Sequence, residues 1–96
     1  MRYLTIRIQY PKPENTKDIL TAVEKVAETA RQYQIIPRIG AWIDKEKNRI
    51  VSITLWESEE HAVRARAAMH MAFKNIPWSK WERQPSENFL NLTRVI

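Results

Sequence analysis

The chain has 96 residues, enough for one domain with a modest core, and 44% of them are hydrophobic while 28% are charged. It contains no cysteine, which excludes disulfides, thiolate nucleophiles and cysteine-held zinc or iron–sulfur clusters. The net charge of +5 is scattered, because basic and acidic residues are interleaved along the chain, as in residues 44–49. We therefore expect one domain over residues 1–96 whose charges serve solubility, and no specific binding of nucleic acid.

The chain has no apolar run long enough to span a bilayer. Its first ten residues alternate between polar and apolar types, whereas a secretory signal needs an uninterrupted apolar stretch. We therefore expect a cytoplasmic protein that does not associate with membranes.

The first predicted element is a strand over residues 3–10, where apolar and polar side chains alternate with a period of two. Leu4, Ile6 and Ile8 fall on one side of this strand. Prolines at positions 11 and 13 end it, because proline cannot donate to a sheet ladder. A helix is predicted next over about residues 16–32, where apolar residues recur at three- and four-residue steps.

A β-hairpin is predicted after the first helix, because residues 35–43 and 49–56 are rich in strand-forming residues and a polar segment separates them. Gly40, the only glycine, lies inside the second strand, where a bulge, a bend or a close approach is expected. Ser58 is placed to cap a second helix that is rich in alanine. Pro77 ends that helix, and a connection leads to a last strand over residues 89–96.

The predicted order is therefore βαββαβ. Right-handed crossovers of this pattern give the α+β ferredoxin-like fold, a four-stranded antiparallel sheet with two helices on one face. The strands carry apolar residues on both of their sides, yet the helices can cover only one face. A lone protomer would leave an apolar sheet face in water, so we predict a homodimer joined through its sheets.

Two segments resemble a known family. They are Pro37-Arg38-Ile39-Gly40, at the start of the second strand, and residues 51–62 with the sequence VSITLWESEEHA. Both are similar to antibiotic biosynthesis monooxygenase-like domains of the dimeric α/β-barrel superfamily. The resemblance implies a homodimer with facing sheets and a pocket between sheet and helices in each protomer. It also implies oxidation of quinol-like or polycyclic aromatic substrates by oxygen with no added cofactor, while relatives degrade haem.

The chain departs from this family at three places. The monooxygenases often carry an amide four residues before the tryptophan that corresponds to Trp56, where this chain has Ser52. They often use an aromatic hydroxyl early in the next helix, where this chain has Ala62. The second tryptophan of the haem-degrading relatives is missing from residues 61–76. The sequence therefore leaves two main functions open: a monooxygenase-type oxidoreductase, or a non-catalytic domain that binds a small ligand. Haem binding and nucleic-acid binding are weaker alternatives.

The candidate site residues lie mainly in the hairpin and the second helix. Trp42 and Trp56 occupy adjacent strands, so they either line a pocket for a flat aromatic ligand or belong to the core. Ser52 and Thr54 share a strand face with Trp56, although the sequence does not show which face of that strand meets the helices. His70 lies in mid-helix, where it is a candidate base, a candidate haem ligand or a half-buried structural residue.

Arg7 and Arg94 are charged residues inside predicted strands. Each either pairs with a carboxylate, including one across the dimer, or binds an anionic group of a substrate. The two histidines, His61 and His70, are nine positions apart, so they cannot chelate a metal as a pair one helical turn apart would. No other spacing indicates a metal site or a phosphate loop, and we predict neither a metal nor a cofactor.

Overall fold

The computed structural model describes residues 3–31 and 38–96. Within these ranges the chain forms four strands and three helices, and a short 3₁₀ turn precedes the first helix. In chain order they are β1 (Tyr3–Pro11), α1 (Thr16–Arg31), β2 (Arg38–Asp44), β3 (Arg49–Trp56), α2 (Glu59–Lys74), α3 (Trp78–Trp81) and β4 (Glu82–Thr93). The predicted ferredoxin-like order is confirmed, with α3 as an addition.

The strands form one sheet in the order β2-β3-β1-β4, and every neighbouring pair is antiparallel. Arg7 in the central strand β1 lies opposite Ser52 of β3 and Asn88 of β4. Residues directly opposite each other share a face of the sheet. Alternate side chains of β1 and β3 therefore lie on two different faces of the sheet, and these faces differ in polarity.

The inner face of the sheet meets α1 and α2 and is polar at its centre. Its centre carries Thr5, Arg7, Gln9, Ser52 and Thr54, and apolar residues of the same face flank them, including Ala41, Ile43, the fully buried Ile50 and Trp56. Apolar packing on this side comes mainly from the helices, through buried Ile19, Ala22, Val26, Ala27, Ala62 and Ala65. Ser58 accepts a hydrogen bond from the backbone N–H of His61 at 3.2 Å, which confirms it as the cap of α2. Neither 16-residue helix, nor any other helix in the described residues, is long and apolar enough to cross a membrane.

The outer face of the sheet is apolar and has no cover within the described chain. It carries Leu4, Ile6, Ile8, Trp42, Val51, Ile53, Leu55, Phe89 and Leu92. Trp42 is 57% exposed and Phe89 is 43% exposed. The indole of Trp42 lies over Gly40, where an added Cβ would come within 2.5 Å of the ring. Gly40 therefore permits a close approach, which is one of the three roles expected for it.

The chain after α2 differs from the prediction. Residues 78–88 were expected to form an irregular connection, but they form α3 and the first half of β4. A polar strand that contains Pro85 is tolerated here because β4 is an edge strand, and its register with β1 shifts at three places. The strand also ends at Thr93 instead of the predicted Ile96. The predicted start of β2 at residues 35–37 lies outside the described residues.

Candidate ligand cavity

A cavity of about 370 Å³ lies between the inner face of the sheet and the helices. Its floor is the polar inner face, and its walls come from α1, α2, α3 and β4. The wall residues with large apolar or aromatic side chains are Val23, Val26, Met69, Phe73, Trp78 and Leu90. The volume is near the lower end of the range of about 300–1,000 Å³ for small-molecule sites, which suits a small aromatic compound.

Trp56 forms a fixed wall of the cavity at the end of β3. Its side chain is only 3% exposed and packs with Ala62 and Ala65 of α2. The indole Nε1–H donates a hydrogen bond of 3.0 Å to Oγ1 of Thr5 on the neighbouring strand. The alanines of α2 allow the ring to lie close under the helix, and the bond to Thr5 fixes its orientation.

Arg7 places a guanidinium on the floor of the cavity. Nη1 donates to Oδ1 of Asn88 at 2.9 Å, and Nη2 donates to Oγ of Ser86 at 3.1 Å. The guanidinium carbon lies 3.7 Å from the centre of the Phe73 ring, a cation–π contact. Burial lowers the pKa of Arg7 to about 10, although the nearby charge of Glu82 opposes this shift. Arg7 is therefore still a cation at neutral pH.

Phe73 and Trp78 form an aromatic pair beside Arg7. Their rings stack with centroids 4.3 Å apart, and Nε1 of Trp78 donates to the carbonyl oxygen of Phe73 at 2.9 Å. The sharp exit from α2 at Pro77 brings the two rings together. Neither ring was identified from the sequence as a site residue. The sequence signal that could have identified them is an aromatic residue on each side of Pro77, which follows the end of α2.

Several polar atoms of the floor have no hydrogen-bond partner among the described residues. The side chain of Gln9 is fully buried, yet neither its amide nitrogen nor its amide oxygen is hydrogen-bonded. The same is true of Oγ of Ser52 and Nε of Arg7. Glu82 comes near Gln9 and Arg7, and burial raises the pKa of its carboxyl group despite both neighbours. Since an unpartnered buried polar group costs about 1–3 kcal/mol, the floor offers hydrogen-bonding capacity that the protein itself does not use.

The structure brings five of the six predicted site residues together. Arg7, Ser52, Thr54 and Trp56 line the cavity from the sheet, and His70 lines it from α2 with an exposed side chain.

Trp42 is the exception, and the expectation that it shares a pocket with Trp56 is wrong. Trp42 lies opposite Val51, one residue out of phase with Ser52, so its ring is on the outer face. Two other residues weighed in the sequence lie away from the floor: Arg94 is exposed and donates to the carbonyl oxygen of Ile96, while His61 is half-buried in the first turn of α2. In residues 3–31 and 38–96, no three histidine, cysteine or acidic side chains converge as a metal site would require.

Solved structures with the same fold cover nearly the whole chain. An antibiotic biosynthesis monooxygenase superposes with a TM-score of 0.71 at 17% identity, over 91% of this chain and 93% of its own. A proposed antibiotic biosynthesis monooxygenase from Nitrosomonas europaea gives 0.72 at 15%, over 92% and 86%. A dimeric ferredoxin-like protein from an uncultured marine organism gives 0.67 at 15%, over 99% and 91%.

No protein-family model matches the sequence, and no curated protein matches it significantly. The likeness is therefore one of fold, and it agrees with the resemblance carried by residues 51–62. By its fold, this chain is a ferredoxin-like α+β domain of the kind found in antibiotic biosynthesis monooxygenase structures.

Proposed function

We propose that the protein is a homodimer that binds a small aromatic, quinol-type compound in the cavity and oxidises it with molecular oxygen, without an added cofactor. The observation that carries this proposal is the cavity itself, in which an aromatic wall stands over a polar floor. Aromatic walls with a few convergent polar groups are the usual composition of such sites. The names of two structural neighbours supply the reaction class.

The oxidation requires a substrate that can supply its own electrons. A ring methylene activated by a neighbouring carbonyl or hydroxyl loses a proton, and the resulting anion reduces oxygen. The overall change converts CH₂ and O₂ into C=O and H₂O, so atoms and electrons balance without another reductant. In this proposal His70 accepts the proton, because histidine is the side chain that most often serves as a general base and this one lines the cavity. Ser52 serves as a hydrogen-bond donor to the substrate.

The second candidate function is binding without turnover. It is favoured by Ala62, which stands where the related enzymes often have an aromatic hydroxyl, and by Ser52 in place of their amide. The cavity and its ligand class would be the same in both cases. A cytoplasmic location and the lack of specific nucleic-acid binding stay predictions from the sequence.

The ligand and the reaction can be tested together with 1,4-dihydroxynaphthalene and with anthrone, which carries the activated methylene. Quenching of tryptophan fluorescence measures binding, and an oxygen electrode measures turnover above the rate without protein. We expect both compounds to bind, and we expect anthrone to consume oxygen faster with the protein than without it. Substitution His70→Gln should reduce turnover at least tenfold with little change in binding, while the surface control Arg64→Gln should change neither. Binding without turnover would establish the second candidate, and absence of binding would refute both.

The homodimer is supported by the outer face of the sheet. Contiguous apolar patches of this kind are rarely left in water, and a two-fold dimer is the commonest way to cover one. One neighbour of the same fold is described as dimeric. An interface through this face should bury at least about 1,600 Å² in total, the standard size for a stable complex.

Sedimentation equilibrium at micromolar concentrations tests the dimer directly. The wild-type chain should sediment at twice its 11.4 kDa mass. Ile53→Lys places a charge at the centre of the outer face and should produce monomer or unfolded chain. Trp42→Glu places a charge at the rim of that face and should weaken the dimer less. Val63→Lys alters an exposed apolar residue of α2 and should leave the dimer intact. An 11.4 kDa wild-type species at every concentration would overturn the proposal.

A further inference from the structure

We propose that the ligand of this cavity carries a carboxylate, and that Arg7 binds it while the aromatic part of the ligand lies against Trp56 and the Phe73–Trp78 pair. This inference rests on the proposed function, because it names the chemical class of the compound that the cavity takes.

The electrostatic surroundings of Arg7 lack a full counter-charge. Arg7 is half-buried, and a cation withdrawn from water is normally paired with an anion, because removal of a charge from water is costly. Both hydrogen-bond partners of Arg7 are neutral side chains, an amide and a hydroxyl. The carboxyl group whose charge reaches Arg7 is that of Glu82, and burial of Glu82 itself favours its neutral form. A carboxylate inside the cavity would supply the counter-charge that the protein provides only in part.

The charged side chains that line the cavity are positive. Arg7 and Arg66 both line it, and His70 stands beside them on α2. Arg66 donates to the carbonyl oxygen of Leu90 at 3.2 Å across the wall. Among the described residues that line the cavity there is no aspartate or glutamate, and Glu82, whose charge reaches Arg7, lies outside the lining. The cavity is therefore electropositive and attracts anions before any contact forms.

The floor of the cavity offers several hydrogen-bond donors to a carboxylate. The guanidinium uses one N–H of each terminal nitrogen for Asn88 and Ser86, which leaves further N–H groups for a carboxylate. The partnerless Oγ of Ser52, directly across the strand pair from Arg7, is a second donor. The buried amide of Gln9, which lies near the carboxyl group of Glu82, is a third. These atoms are covered in the ligand-free protein, so binding requires small rotations of the side chains that cover them.

Arg7 is held in position by its neighbours. Its contact with the Phe73 ring fixes the plane of the guanidinium, and two hydrogen bonds fix its rotation in that plane. A preorganised donor pays little entropy on binding, and hydrogen bonds to charged groups are worth about 1.5–3 kcal/mol. This corresponds to an affinity gain of about 10- to 100-fold over a neutral ligand of the same shape.

The decisive experiment compares 2-naphthoate with 2-naphthamide, which have the same shape and differ in charge. Isothermal titration calorimetry of the full chain at pH 7 should show at least tenfold tighter binding of the carboxylate. Arg7→Gln should remove this preference by weakening 2-naphthoate at least tenfold while leaving 2-naphthamide within threefold. Arg94→Gln, which changes an exposed arginine outside the cavity, should alter neither affinity.

The outcomes separate this inference from the proposed function. Equal affinities of the two probes for the wild-type chain would overturn the carboxylate class but leave an aromatic-binding cavity. Absence of binding by both probes would overturn the inference and count against the cavity as an aromatic site. If Arg7→Gln does not fold, Arg7→Lys and the wild-type preference still decide the matter, because lysine keeps the charge but loses the planar fork. Retention of the full preference in Arg7→Lys would show a general attraction of anions instead of specific binding by the guanidinium.

Discussion

Replacement of Thr5 by valine tests whether the bond to Trp56 holds the cavity wall in place. The change keeps the shape of the side chain and removes the oxygen that accepts the indole N–H at 3.0 Å. Because the Trp56 side chain is only 3% exposed, water cannot readily replace this partner. A buried donor left without an acceptor costs about 1–3 kcal/mol. The weaker contact from Thr5 to the carbonyl oxygen of Leu90, at 3.4 Å, adds little.

Urea unfolding at a fixed protomer concentration measures this loss, since the stability of the proposed dimer would depend on concentration. With a denaturant slope of about 1–3 kcal/mol/M for small proteins, a loss of about 2 kcal/mol lowers the midpoint by roughly 1 M. Thr93→Val, at an exposed position near the end of the edge strand, serves as the matched control and should have little effect.

A double-mutant cycle with Trp56→Phe identifies the cause of the loss. Phenylalanine has no N–H, so Thr5→Val should cost almost nothing in that background if the hydrogen bond is responsible. An equal loss with tryptophan and with phenylalanine at position 56 would refute the reasoning and point to packing of the threonine itself. A wild-type-like midpoint for Thr5→Val alone would refute it as well.

Three further changes have defined outcomes. Arg49 holds the pKa of the Asp44 carboxyl below its usual value, so the ion pair stabilises the fold above about pH 4 and this contribution is lost as the pH falls through the lowered pKa. Thermal unfolding between pH 7 and pH 2 should therefore show a shallower acid loss for Asp44→Asn than for wild type, and equal slopes would contradict this. Gly40→Ala should displace the Trp42 indole from the strand, which would alter its fluorescence and weaken dimerisation in sedimentation, while an unchanged spectrum would exclude the clash. Ser58→Ala should destabilise α2 by about 0.5–2 kcal/mol in urea, and Ser58→Gly by only a few tenths; equal losses would exclude the cap.

The order of the elements could be predicted because each long element has a clear period. The alternation in β1 and the three- and four-residue steps in α1 are local properties, and they survive in the fold. The start of β4 was missed because an edge strand needs neither apolar alternation nor a full set of hydrogen-bond donors. The sequence before Phe89 therefore has no strand pattern to detect.

The site could be predicted only in part, because its residues depend on register and on which sheet face meets the helices. In β3, Val51, Ile53 and Leu55 are as suitable for the core as the alternate set that includes Trp56, and only the packed structure distinguishes them. The misplacement of Trp42 has the same origin, since a shift of one residue in register moves a side chain to the opposite face.

The contact of Arg7 with Phe73 was also beyond the sequence, because it joins the first strand to the end of the second long helix. No local pattern links two such distant positions.

The sheet has polar residues at the centre of its inner face and apolar residues on its outer face. This arrangement separates ligand recognition from apolar burial, two demands that usually compete within a small domain. Residues that would choose a ligand, such as Arg7 and Ser52, are not the residues that supply the bulk of apolar burial, which lie on the helices and at Ile50 and Trp56 of the sheet. Substitutions at floor positions that do not support Trp56 can therefore change what the cavity accepts while sacrificing little folding free energy. A scaffold arranged in this way can diversify its ligands at low mutational risk, and its vulnerable positions are the buried apolar ones.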